Sequence, residues 1–73
     1  MGAYKREQIE NDFKIATKGF TNRYIIKIRY AAIKILEDSP DNECRDFAIS
    51  HLLQAAEMLT SAYIIGIRKE PIL

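Results

Sequence analysis

The 73-residue chain has one cysteine, Cys44, and one histidine, His51. An intrachain disulfide is therefore impossible, and so is a Cys/His zinc site within one chain, which needs four such ligands. Glycine occurs three times and never in a phosphate-loop arrangement. No Ser-His-acid order and no pair of convergent carboxylates can be traced. A non-catalytic protein without a cofactor is the expectation. No apolar run approaches the roughly 18 residues of a membrane span, and Met1 to Glu7 run into charged residues without an apolar signal region. With a single free thiol, these features predict a cytoplasmic protein with no membrane partner.

Net charge is also small, +1, so nothing points to a surface-wide polyanion interface, and binding to a nucleic acid polymer is not expected. The charge is unevenly placed. Residues 1–37 hold eight Lys/Arg against four Asp/Glu, whereas 38–73 hold three against six. Such polarity suits antiparallel packing of subunits or a local anion site.

What the chain does have is helical periodicity throughout. One short N-terminal helix followed by a long antiparallel helical hairpin is expected, all-α in class, in one domain covering 1–73. Ile9, Phe13, Ala16 and Phe20 recur on one face of a helix over about 5–18, with Gly19 as its stop. Thr21 or Asn22 can cap a second helix over about 22–37. The β-prone stretch from Tyr24 to Ile28 argues weakly against its first turn. Asp38-Ser39-Pro40-Asp41-Asn42 is turn chemistry, with Ser39 as the expected cap and Pro40 as the first residue of a third helix over about 40–68. Glu70-Pro71 closes that helix.

The third helix carries a surplus. Set at 100° intervals, its apolar residues between Phe47 and Ile67 cover roughly 260° of the circumference, where an ordinary surface helix needs a stripe of about 100°. Only Ser50, Gln54, Glu57, Ser61 and Arg68 form a polar strip. A chain this short cannot cover so wide an arc, and small scaffolds without disulfides or metals commonly self-associate. A symmetric homo-oligomer follows as the expectation.

Candidate binding residues cluster on the second helix. Arg23, Lys27, Tyr30 and Lys34 lie in one line at helical spacing. They read either as a solvated face or as cations for phosphates beside a ring that can stack on a base. Arg29 lies on the opposite face among Ile25, Ile26, Ile33 and Leu36. A guanidinium there must snorkel, pair with an acid such as Asp46, or meet an anionic ligand. On the third helix Ser50 borders the polar strip, and His51 reads as a core or interface histidine. Tyr4, beside Lys5 and Arg6, is either a frayed end or an aromatic lid on a neighbouring subunit.

The run Ala48-Ile49-Ser50-His51-Leu52-Leu53-Gln54-Ala55-Ala56-Glu57-Met58-Leu59-Thr60-Ser61-Ala62 resembles the helical-hairpin family of phage sponges that sequester cyclic nucleotide signals of bacterial CBASS defence, a hairpin shared with anti-Thoeris sponges. The match covers about a third of the chain closely. The resemblance implies a multimer, typically a hexamer, in the host bacterial cytoplasm, holding cyclic dinucleotides or trinucleotides between subunits. Ser50 stands at the family's Thr position, Tyr4 resembles its aromatic lid, and Lys27 or Arg23 its second-helix cation. Where the family often has an Arg, this chain has Glu43, and the nearby cation is Arg45. On this reading Arg29, Arg45, Lys27 and Ser50 hold phosphates and Tyr4 or Tyr30 stacks on a base. The alternative is a helical interaction module or inhibitor docking on a host protein.

Overall fold

A computed structural model describes residues 4–68, with side chains as far as Ile65. Three helices follow in order: α1 (Arg6–Ala16), α2 (Arg23–Asp38) and α3 (Glu43–Arg68). The described residues contain no strand. The Tyr24–Ile28 stretch, β-prone by composition, is helical. Asn22 opens α2 by accepting the Tyr24 and Ile25 amides on Oδ1 at 3.0 and 2.9 Å, and Ile25 is then buried in the core. Capping and burial outweigh a local propensity difference of this kind. Replacing Asn22 by alanine should lower stability by about 1 kcal/mol, read as a shift of the urea midpoint with an unchanged slope.

The ends of α1 and α3 differ from the expected ones. α1 stops at Ala16, two residues early. The Lys18 amide donates to the Ile15 carbonyl and the Gly19 amide to the Lys14 carbonyl, with Lys18 and Gly19 both left-handed at φ 54° and 77°. This pattern closes a helix by satisfying its last carbonyls. α3 begins at Glu43 rather than near Pro40, because Asn42 and not Ser39 is its cap: Asn42 Oδ1 accepts the Arg45 amide at 3.0 Å. Ser39 instead closes α2, donating its amide to the Ile35 carbonyl. α3 continues through Gly66. Met1–Ala3 and the expected stop at Glu70-Pro71 lie outside the described residues.

Ile9 and Phe13 of α1, Ala32 and Ile33 of α2, and Ile49 and Ala56 of α3 form the core. Each comes from the apolar face that its helix's periodicity defines. Two buried hydroxyls, one just after the last residue of α1 and one within α3, bond back to helix carbonyls. Thr17 Oγ1 donates to the Phe13 carbonyl at 2.7 Å and Thr60 Oγ1 to the Ala56 carbonyl at 2.8 Å, so neither is left unsatisfied. Phe20 stacks on Tyr63 at 4.2 Å between centroids, joining the α1–α2 connection to the far half of α3. No helix among the described residues is long and apolar enough to cross a membrane.

At 1.5 Å per residue the 26 residues of α3 span about 39 Å, in a molecule 47 Å long and under 20 Å in its other dimensions. α2, with 16 residues, and α1, with 11, cover one side of it. The other side is bare: Phe47, Met58 and Ile65 are 72, 70 and 62% exposed.

Candidate functional site

A concave surface lies where α1 and the start of α2 converge. It is an open groove of about 750 Å³, within the ~300–1,000 Å³ range of small-ligand sites. Phe13, Phe20, Ile25 and Ile26 supply its apolar walls, and Lys14, Thr21 and Arg29 supply donors at its edges. Glu7 and Glu10 also border it. Glu10 is engaged by Arg6, whose Nε lies 3.4 Å from Oε2, and Arg6 Nη1 reaches Glu37 at 3.2 Å. These exposed pairs contribute little stability, but they draw the Glu10 carboxylate toward a neighbouring cation.

Arg29 is the unusual residue of the groove. It is half-buried, emerges between buried Ile25 and Ile33, and makes no ion pair among the described residues. Asp46, considered from sequence as its partner, lies instead 4.0 Å from Arg45 Nε. The Arg29 guanidinium is 6.0 Å from the centroid of the adjacent Tyr30 ring, the outer limit of a cation–π contact. Its five donors thus stay available toward the groove. The charged lining of the groove is balanced, Glu7 and Glu10 against Lys14 and Arg29, while the first turn of α2 contains no acidic residue and begins with Arg23. A helix N-terminus ordinarily attracts carboxylates, not guanidinium groups. Here Asn22 Oδ1 already takes two of its first amides, those of Tyr24 and Ile25.

The seven residues singled out from sequence do not converge within one chain. Arg23, Lys27 and Tyr30 are exposed on the outward face of α2, with the Arg23 guanidinium 5.6 Å over the Tyr24 ring. Lys34, in the same line, pairs with Asp38 at 3.1 Å. Arg29 alone of the α2 set enters the groove. Ser50 is half-buried on α3. Tyr4 is half-buried against the core cluster.

Arg45 has structural work. Its side chain is only 9% exposed and donates through Nη2 to Asp41 at 3.0 Å and through Nη1 to the Leu36 carbonyl at 3.3 Å. It therefore ties α3 to the last turn of α2, satisfying a carbonyl that the helix end leaves open. Arg45→Ala should cost about 1–2 kcal/mol, mainly from the lost carbonyl contact and stem packing, because Asp41 is 46% exposed and its pairing is screened. Thermal unfolding reads that loss directly.

Lys14 and Thr21, which border the groove, were not apparent from sequence. They stand on α1 and in the α1–α2 connection, and only the crossing of the two helices brings them toward Arg29. No protein-family model matches the chain, and no curated protein or solved structure is significantly similar to it.

Proposed function

We propose that this protein is a non-catalytic, self-associating helical module that captures small anionic nucleotides of the cyclic di- or trinucleotide class, antagonising CBASS-type anti-phage signalling. The observation that carries this reading is Arg29: a half-buried arginine with no described carboxylate partner, lining a groove with aromatic and aliphatic walls. Planar bidentate donors suit phosphoryl oxygens, and the walls beside Phe20 suit the face of a base. The resemblance of the Ala48–Ala62 run to the sponge family supports the nucleotide class.

In this reading α2 and α3, packed on each other across residues 39–42, form an antiparallel hairpin that repeats in a symmetric oligomer, a hexamer by the same resemblance. Arg29, with Lys14 and Thr21, holds phosphate. Arg23, Lys27, Tyr30 and Ser50 reach a ligand only from an adjoining subunit, because within one chain they point elsewhere. Tyr4 and Arg45 serve the fold instead, Tyr4 against the core cluster and Arg45 between α3 and the last turn of α2, away from the groove. The ligand is held and released unchanged, so affinity and stoichiometry replace turnover.

Isothermal titration with a panel of cyclic dinucleotides and trinucleotides tests the reading. Saturable binding of at least one, weakened by added salt, is expected. Absence of binding to every member refutes it.

A further inference from the structure

The bare side of α3 is ordered. Phe47, His51, Gln54, Met58, Ala62 and Ile65 recur at intervals of four, three, four, four and three residues, and all six are exposed. Such spacing keeps side chains on one narrow strip of a helix and is the pattern of a coiled-coil seam. Along the middle of the strip runs a shallow apolar groove of about 530 Å³ bounded by His51, Gln54, Ala55, Met58, Leu59 and Ala62. At its head, the His51 ring lies 6.0 Å from that of Phe47 in a stacked arrangement. All six stay exposed although α1 and α2 both pack against α3.

We infer that the strip is covered by the same strip of a second copy, with the two α3 helices antiparallel about a two-fold axis near residue 56. The inference rests on the self-association in the proposed function and is independent of the nucleotide.

Three features select a second copy as the occupant. The first is size order. Read in reverse, the strip complements itself: positions 47 and 65, 51 and 62, and 54 and 58 meet, so that His51 faces the small Ala62 and Gln54 faces Met58. A parallel pair instead stacks Phe47 on Phe47 and His51 on His51, and leaves Ala62 against Ala62 with space between. A two-fold contact joins a surface to itself, which requires this kind of self-complementarity.

The second feature is charge. None of the six positions carries Lys, Arg, Asp or Glu, so identical surfaces meet without repulsion. Glu57 lies to one side of the strip. Ala48, Ala55 and Ala62 lie seven residues apart along the other, where small side chains let two backbones approach closely. The copies close on the alanine edge and leave Glu57 toward solvent.

The third feature is area. With Phe47, Met58 and Ile65 exposed to 72, 70 and 62%, and roughly 200 Å² for a fully exposed large side chain, these three residues offer about 400 Å² per copy. Two copies together offer about 800 Å² from these residues alone, and the intervening His51, Gln54, Leu59 and Ala62 add to it toward the ~1,000 Å² that marks a specific interface.

The test needs no ligand. Solution mass by light scattering should give an even multiple of the 8.4 kDa chain, and Met58→Glu should reduce that mass at least twofold while the far-UV spectrum stays helical. In a Cys44→Ser background, Phe47→Cys with Ile65→Cys should yield a covalent dimer on mild oxidation, whereas Phe47→Cys alone should not, because the two thiols then lie about 27 Å apart along the helices. A monomeric wild type, or a Met58→Glu variant of unchanged mass, overturns the pairing. Equal crosslinking by the single-cysteine variant overturns the antiparallel register. Nucleotide binding that persists in a monomeric Met58→Glu variant leaves this inference standing and shows that the groove works within one chain.

Discussion

Phe13→Ala should remove most of the stability of the fold, about 3–5 kcal/mol in urea denaturation followed by helical circular dichroism. Phe13 is 2% exposed and is the largest of the fully buried side chains. It lies in the core cluster with residues from all three helices, so its ring cannot be replaced by collapse of a single neighbour. Truncation leaves a cavity as well as a lost transfer term. A chain of this length has roughly 4–11 kcal/mol to lose, and at a slope of about 1 kcal/mol/M the midpoint should fall by roughly 3 M or more. Phe47→Ala provides the contrast. In the single chain Phe47 is largely exposed, so its removal should change intrinsic stability by under about 0.5 kcal/mol. Any larger effect must depend on protein concentration, because a partner that binds only the folded state stabilises by mass action. A loss below 1 kcal/mol for Phe13→Ala would contradict the packing described.

Arg29→Ala should weaken nucleotide binding about 10- to 150-fold, the range of a charge-assisted hydrogen bond worth roughly 1.5–3 kcal/mol. The helix should remain intact, since Arg29 makes no ion pair among the described residues and lies outside the core cluster. Arg29→Lys should recover only part of the affinity, as a point charge replaces a planar fork. Arg45→Ala is the matched control: it should lower the melting temperature and leave affinity nearly unchanged, because its guanidinium is already committed to Asp41 and the Leu36 carbonyl. Titration calorimetry at fixed ionic strength measures all three variants. Equal losses of affinity from Arg29→Ala and Arg45→Ala would place the phosphate site elsewhere.

These two residues also show how far the sequence reaches. Periodicity located three helices and the buried faces of Ile9, Phe13 and Ile33, because apolar spacing reports burial directly where the apolar stripe is narrow. Helix ends were less legible. Ser39-Pro40 has the chemistry of a helix start, yet Asn42 takes that role three residues later, since a carboxamide oxygen at 42 reaches the Arg45 amide. Ser39 and Asn42 are both good caps, and only the path of the turn decides between them.

For the site, Arg29 was legible as a cation among isoleucines. Lys14 and Thr21 were not, because proximity across a helix crossing leaves no trace in local spacing. Arg45 was singled out by family resemblance as a phosphate ligand. A signal for its structural role was nonetheless present: Asp41 stands four residues before it, the spacing of an ion pair along a helix, here at 3.0 Å. The surplus apolar arc of α3 was legible in outline. Its division into a covered face and a bare strip needed the positions of α1 and α2.

Native mass spectrometry of the purified protein with and without a saturating cyclic dinucleotide or trinucleotide decides whether it is a nucleotide-holding multimer. A multimer carrying a fixed number of nucleotides per assembly is expected, with the nucleotides released at unchanged mass on denaturation and Arg29→Ala assembling equally but arriving empty. A multimer that takes up none of these nucleotides, or that returns them cleaved, would contradict the proposed function.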